Sequence, residues 1–408
     1  MKILVYGINY HPELTGIGKY TGELCSWFAA RGHQVEVVTA MPYYPGWEIE
    51  GEYKDKRWFT ERINGVKVRR APLYVTRRIN ARKRIVHEFS FLLSSLVQWF
   101  RPFFRRYDVV ISVYPPLVIG IYPFIYHAIH RRPWFFHVQD LQVDAAKELG
   151  MIRNRLVLNG LFTIERFFLR QATRVGSISP GMKRKLLAKG IPESKYIDLP
   201  NWVDTDFIHP ANKDEALKRT LGFDVEDRLV LYSGNIGEKQ GLELIIEVAE
   251  RARTISGLHF VLAGEGAAKE RLKTQVTRLG LSNVHFLPLM PYSALTRFMN
   301  IADIHLVLQK KEASDLVLPS KLNTILSAGG LAIVSAVKDT TLYNLITEHN
   351  VGLVIEPESS DALQNAIVQA MDSPGMEVIR TNARNYALEN LNIDKILGKF
   401  EKQLKELL

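Results

Sequence analysis

Glycines and a lysine crowd into one short stretch, Leu231-Tyr-Ser-Gly-Asn-Ile-Gly-Glu-Lys-Gln-Gly241, at the end of the apolar run Leu229 to Tyr232. Where a strand ends in a glycine turn and a helix begins, unpaired backbone N–H groups meet the positive end of the helix dipole, and phosphate is the group such a place accepts. Lys239 adds a mobile positive charge, and Gly234, Asn235 and Gln240 stand around it. One glycine turn of this kind serves a plain reversal equally well. A second stretch, Tyr10-His-Pro-Glu-Leu-Thr-Gly-Ile-Gly-Lys-Tyr20, repeats the pattern after the apolar run Ile3 to Tyr6, with Gly16 and Gly18 ahead of a helical pattern. Two such loops, one in each half of the chain, predict a ligand held between two domains. A third group sits where the apolar run Trp134–Val138 carries His137 into Gln139, Asp140 and Asp144. A histidine ending a strand beside an aspartate is either structural or placed for chemistry, while Asp140 and Asp144 can instead cap the next helix, the reading preferred for Asp144.

The elements that must position these groups are legible from periodicity. Residues 1–40 read as strand, glycine loop, helix Tyr20–Ala30, a stop at Arg31-Gly32-His33, and strand Gln34–Thr39. That is a βαβ unit, with a right-handed crossover and a parallel sheet. Ligands of such a sheet lie at the carboxyl ends of its strands, where the loop Met41–Trp47 also falls. A hairpin is expected over Trp58 to Ala71, and a buried strand at Val109–Val113 is stopped by Tyr114-Pro115-Pro116. Arg174–Ile178 and Tyr196–Leu199 read as further strands, and Pro200–Asp204 as a turn near the domain boundary. The second half alternates strands (Leu229–Tyr232, His259–Ala263, Val284–Leu287, Ile304–Leu308, Ala332–Ser335) with helices (Leu242–Thr254, Ala268–Leu279, Tyr292–Asn300, Leu322–Ala328). Ala263-Gly-Glu-Gly266 reads as a simple strand exit. Helical patterns at Asp361–Met371 and from Glu377 onward close the chain. The prediction is an α/β protein of two Rossmann-like, doubly wound parallel sheets.

At 408 residues, two or three domains are favoured over one core. A composition of 47% hydrophobic and 24% charged residues excludes a largely disordered chain. The single cysteine, Cys25, cannot form an internal disulfide and falls in a helical pattern, so it reads as a buried small hydrophobe in a reducing compartment. The first residues are expected to form a strand and not a signal peptide. Lysine and arginine outnumber aspartate and glutamate by 53 to 43, giving +10. The excess gathers at Arg77, Arg78, Arg82, Lys83 and Arg84 before the apolar run Ile85–Phe100, and at Arg101, Arg105 and Arg106 after it. Ile85, Phe89, Leu92, Leu96 and Phe100 recur at helical spacing in a run too short to span a bilayer. It fits either a helix lying on an anionic membrane surface or a core helix with solvated basic ends. No reader motif supports nucleic acid as a partner.

Taken together, Tyr10–Gly18, Arg31-Gly-His-Gln-Val-Glu-Val37 with Thr39, Pro200-Asn-Trp-Val-Asp-Thr-Asp-Phe-Ile-His-Pro210, Gly234–Gly241 and Pro319-Ser-Lys321 with Gly329 resemble, in order and over nearly the whole chain, the GT-B glycosyltransferases of family 4. The resemblance implies two Rossmann-like domains, 1–203 and 204–385, facing across a cleft, with a C-terminal helix, 386–408, returning to the first. It implies a retaining, metal-independent transferase whose C-terminal domain holds a nucleoside-diphosphate sugar. No Asp-x-Asp at a strand end contradicts the absence of a metal. The charge of the leaving nucleotide then falls to fixed protein donors. Within the family the likeness is to members that build exopolysaccharide. This implies no cofactor, a GDP-fucose donor in preference to a UDP-sugar, a lipid-pyrophosphate-linked saccharide acceptor, and a cytoplasmic protein peripheral on the inner face of the membrane. The residues themselves choose neither base nor sugar.

Residue by residue, the resemblance implies that Gly16 and Gly18 let backbone approach the donor, and that His137, with Asp140, meets the transferred sugar. Arg82, Lys83, Arg84 and Arg101 are expected at the membrane or acceptor. Two departures stand out. Asn235 replaces the family's arginine, which can grip a diphosphate with two hydrogen bonds, and Gln240 separates Lys239 from Gly241. Ser320 and Lys321 are the candidates to complete the clamp. Thr324 stands where the second of two paired glutamates is expected, leaving Asp315 to contact sugar hydroxyls. These losses leave open a non-catalytic sugar-nucleotide-binding or assembly protein on the same scaffold, with a UDP-sugar epimerase as a further alternative.

Overall fold

The computed structural model describes the chain except residues 14, 15, 50, 78, 79, 149–151, 153 and 314–318. The chain forms two compact units, Met1–Pro200 with Leu397–Leu408, and Asn201–Ile396.

The first unit runs β1 (Lys2–Tyr6), α1 (Gly16–Ala30), β2 (Gln34–Ala40), β3 (Phe59–Ile63), β4 (Val66–Ala71), α2 (Ala81–Phe103), β5 (Val109–Tyr114), α3 (Ile121–His130), β6 (Trp134–Val138), α4 (Gln142–Glu148), α5 (Arg155–Gln171), β7 (Arg174–Ser177), α6 (Pro180–Ala188) and β8 (Tyr196–Asp198). Its sheet has the order β3-β4-β2-β1-β5-β6-β7-β8, parallel throughout save for the antiparallel edge strand β3. Ile3 to Tyr6, and all of β5 and β6, are buried, as expected of strands covered on both faces. On one face Phe91 and Trp99 of α2, Tyr126 of α3 and Phe168 of α5 enter a single core with Tyr6, Val110 and Trp134. On the other, Phe28 of α1 and Phe135 both meet Phe400 near the chain's end. Glu401 there bonds Arg31 and His33, which follow α1.

The second unit runs α7 (Glu215–Thr220), β9 (Arg228–Ser233), α8 (Glu243–Arg251), β10 (Leu258–Ala263), α9 (Lys269–Leu279), β11 (Val284–Leu287), α10 (Leu295–Asn300), β12 (Ile304–Val307), α11 (Ser320–Ser327), β13 (Ala332–Ser335), α12 (Thr341–His349), β14 (Gly352–Ile355), α13 (Ser360–Asp372), α14 (Met376–Tyr386) and the start of α15 (Ile393–Lys405). All six strands are parallel, in the order β11-β10-β9-β12-β13-β14. This is the dinucleotide-fold order, with its reversal between β9 and β12.

Three expectations need correcting. Gly16 and Gly18 lie inside the first turn of α1 and not in the loop before it. The stretch beyond Glu377 is not one helix: a π-helical turn at Ala387–Leu391 separates α14 from α15. The pair α12 and β14 was not foreseen, because β14 offers only four residues and follows a left-handed Asn350.

Candidate functional site

In each unit the strand order reverses beside the strand that feeds a glycine loop, β1 next to β5 and β9 next to β12. Such reversals open a crevice at the carboxyl ends of the strands, where α/β sheets receive ligands.

In the second unit, β9 delivers the chain to Gly234, whose φ of +137° is territory that side chains avoid. A Cβ added there would lie 3.2 Å from both Cε and Nζ of Lys321. Lys321 stands in the first turn of α11, with its Nζ 3.5 Å from the centre of the Tyr232 ring. Its Nζ is shut off from solvent and has no hydrogen-bond partner among the described residues. Burial brings its pKa down to about 7. The Pro319 cap gives the helix start no side-chain acceptor. An unpartnered ammonium beside a glycine turn and an uncapped helix start suits an anionic oxygen.

Two of the turn's own amides are committed to the neighbouring strand exit. Gly234 N–H donates to the Ala263 carbonyl and Ile236 N–H to that of Glu265, each at 2.8 Å. A Cβ on Gly264 would fall 1.9 Å from the Gly234 carbonyl oxygen, and one on Gly266 would fall 2.3 Å from that of Ile236. Gly264 and Gly266 are therefore required where they stand, since they let the β10 exit pack directly against the Gly234 turn. The Gly-x-Gly spacing at the end of the adjacent strand was the available signal.

Asn235 is exposed, and its carbonyl accepts from the Tyr232 hydroxyl at 2.6 Å. Lys239 is exposed as well. Gln240 turns back on its own loop, its Oε1 2.7 Å from where a Cβ of Gly237 would stand. Ser320 is exposed at the head of α11, and Thr324 follows Lys321 by about one turn, half-buried. Asp315 lies outside the described residues.

In the first unit, the space over Gly18 is filled by Glu13, whose Oε2 would be 2.5 Å from an added Cβ. The same carboxylate accepts from the Asn9 side chain at 2.9 Å and from the backbone N–H groups of Tyr43 and Tyr44, each at 3.1 Å. It thereby ties the loop after β1 to the loop after β2. Burial raises its pKa to about 7. Glu13 was not foreseen, although its place five residues before Gly18 was visible. Gly16 has φ +60°, and a Cβ there would meet only the Tyr44 ring, at 3.7 Å.

His137, next to last in β6, is buried, with Gln139 Nε2 at 3.4 Å from its Nε2, and burial lowers its pKa to about 3. The ring is neutral at physiological pH. Asp140 follows the strand; burial, then the Glu165 carboxylate, and least of all Asp140 push the Tyr114 phenol's pKa up. Asp144 pairs with Lys189, which also pairs with the buried Glu165. It lies in the first turn of α4, one of its partners thus coming from beyond the helix it was expected to cap.

Of the basic residues, Arg82 and Arg101 are exposed at opposite ends of α2. The backbone N–H of Lys83 is capped by the Asn80 side chain. Arg84, partly exposed, pairs with Glu88 one turn on at 3.2 Å.

The chain as a whole matches known proteins over most of its length. Residues 15–202 match the model of the glycosyl transferase 4-like domain, and residues 213–389 that of glycosyl transferases group 1. The chain is 40% identical over 406 residues, 98% of each chain, to WcaI of Escherichia coli (strain K12), named as a colanic acid biosynthesis glycosyl transferase. Among solved structures it resembles sucrose-phosphate synthase from Thermosynechococcus elongatus (TM-score 0.75, 16% identity, covering 100% and 99% of the two chains). It also resembles Anabaena HepE in complex with UDP (TM-score 0.73, 16% identity, 100% of both chains). Two α/β units, each built on a mainly parallel sheet, and a likeness running the length of the chain leave one conclusion: this protein belongs to the GT-B glycosyltransferases that join a 4-like N-terminal domain to a group 1 C-terminal domain.

Proposed function

We propose that this chain is a retaining, metal-independent glycosyltransferase that moves a sugar, with fucose favoured, from a nucleoside diphosphate to a lipid-pyrophosphate-linked exopolysaccharide precursor. GDP-fucose is favoured over a UDP-sugar as donor, and the reaction takes place at the inner face of the cytoplasmic membrane. The observation that carries the reading is Lys321, an ammonium with no partner among the described residues beside the Gly234 turn. It supplies fixed positive charge for the departing diphosphate and compensates for Asn235 in place of arginine. The colanic acid assignment of the E. coli relative supports the exopolysaccharide product. HepE, crystallised with UDP, offers the competing base. In the first unit, His137 is neutral and donates or accepts toward sugar hydroxyls, with Asp140 beyond it.

The test is a thermal-shift panel of GDP, UDP and TDP with their sugars, followed by donor hydrolysis with and without chelator. A ligand at a hundred times its dissociation constant stabilises by about 2.7 kcal/mol. GDP-fucose is expected to give the largest shift, and hydrolysis to persist under chelation. A UDP-sugar giving the larger shift replaces the donor, and activity restored only by manganese overturns the metal-free mechanism. Nucleotide binding without hydrolysis or transfer favours the non-catalytic reading.

A further inference from the structure

Of the hydrophobic residues whose helical spacing marked α2, Ile85, Phe89, Leu96 and Phe100 point outward, whereas Leu92 is buried. Ile85, Phe89, Leu93, Leu96, Val97 and Phe100 fall within an arc of about 120° at about 100° per residue, and each is exposed over half or more of its surface. Leu93 is 70% exposed, Phe100 67%, and Phe104, stacked edge-on to Phe100, 72%. The opposite side of the same helix, with Phe91, Ser95 and Trp99, is buried in the core of the first unit. Two neighbours continue this surface. Phe103 of α2 meets His130 of α3, and Phe124 of α3 meets Phe167 of α5. Ile129 on α3 is 60% exposed, and Leu156 at the head of α5 is 82% exposed. All three helices cover the same face of the sheet, so their outer sides look away from it together.

The exposed charged residues of α2, α3 and α5 are all basic. Arg82 lies in the arc at the head of α2, and Arg101 and Arg106 close its far end. Arg131 follows α3, and Arg155 and Arg166 stand exposed on α5. The sole acidic residue of α2, Glu88, is on the buried side, bonded to Arg84 and Gln142. At the border, the half-exposed Trp58 donates its indole N–H to the Ser94 carbonyl at 2.8 Å, an amphipathic ring of the kind found at headgroup level. Among the described residues no helix is long and apolar enough to cross a membrane. A second copy set on this face by a twofold axis would bring arginine rims together. An anionic surface with an apolar interior complements both features at once.

We propose that the outer face of α2, extended by α3 and α5, is an in-plane docking surface that sinks Leu93, Phe100 and Phe104 below the headgroups of an anionic bilayer, while Arg82 and Arg101 hold those headgroups. This deepens the membrane part of the proposed function and rests on it.

The test is flotation of the full chain with phosphatidylcholine vesicles containing about 30% phosphatidylglycerol, without donor or acceptor. Wild type is expected to float with these vesicles and to release with rising salt. Leu93→Glu with Phe100→Glu is expected to weaken binding at least tenfold, and Arg82→Gln or Arg101→Gln about fivefold each. All these positions are exposed, and unchanged circular dichroism and melting confirm folding. Unaltered flotation of the Leu93→Glu, Phe100→Glu variant overturns the proposal. So does equal, salt-indifferent binding to pure phosphatidylcholine, or light scattering that shows a wild-type dimer made monomeric by the variant with flotation unaffected. The nucleotide shifts of wild type, read in parallel, report on the transferase reading separately.

Discussion

The two switch-point loops share a topology and carry opposite charge. After β1, Gly18 of α1 makes room for a carboxylate, Glu13, held by Asn9 and by two backbone amides of the next loop. After β9, the glycine turn encloses an ammonium, Lys321, with only the Tyr232 ring against it among the described residues. Burial drives both toward neutrality, Glu13 up and Lys321 down, each to about 7. The difference is one of satisfaction. Glu13 has its hydrogen bonds and serves to bind two loops to each other. Lys321 has none among the described residues, and burying a charge without a partner is costly, which marks the site as a candidate for a ligand. The same fold thus gives a fastened loop in one unit and a receptive one in the other.

The comparison breaks most visibly at Gly264. Alanine there must place Cβ against the Gly234 carbonyl at a φ of +148°, which is expected to cost about 3–5 kcal/mol. Thermal unfolding should show an early transition for the second unit, with nucleotide binding lost. If the variant melts with wild type, the β10 exit does not back the turn. Next is Lys321→Met, expected to weaken nucleoside diphosphate binding about a hundredfold by calorimetry, as loss of a charge-assisted contact implies, without destabilising the free protein. A variant that binds as wild type moves the phosphate elsewhere. Gly18→Ala is the counterpart in the first unit, expected to cost about 1–3 kcal/mol by pressing on Glu13. In a Glu13→Gly background the added cost should shrink, since the two sites share one space. An undiminished cost there means that something other than Glu13 requires the glycine.

Much of this was legible beforehand, and the reasons differ by residue. The sheets were, because Ile3–Tyr6 and Leu229–Tyr232 are unbroken apolar runs bounded by glycine. Lys321 was a candidate from its motif alone, but its isolation was not, because that depends on Tyr232 and Gly234 lying beside α11 in space. Glu13 was missed since a single acidic residue in a loop carries no periodicity. The outward apolar face of α2 was half legible: helical spacing marks a stripe, and the buried stripe of Phe91, Ser95 and Trp99 is set about half a turn away by packing, which the pattern alone does not assign.

The finest test of the contrast lies in pH. For Glu13, the folded pKa of about 7 stands above the ordinary 4.5, so between those values the folded chain keeps a proton that the unfolded chain has lost. Its contribution to stability is complete below 4.5 and declines as pH rises through 7. For Lys321, the folded value of about 7 lies below 10.5, so between them the unfolded chain holds the extra proton, and stability rises with pH across that window. Glu13→Gln is therefore expected to gain on wild type from pH 4.5 to 7. Lys321→Met is expected to lead wild type most at pH 7 and below, and to lose that lead toward 10.5. Each difference should be on the order of 1 kcal/mol in melting experiments. Binding of a diphosphate favours the charged ammonium, so affinity should fall as pH rises above 7, and Lys321→Arg should remove that fall. Parallel pH profiles for the Glu13 and Lys321 variants would mean that the two sites do not differ in charge, and the asymmetry behind the proposed donor binding by the second unit would be gone.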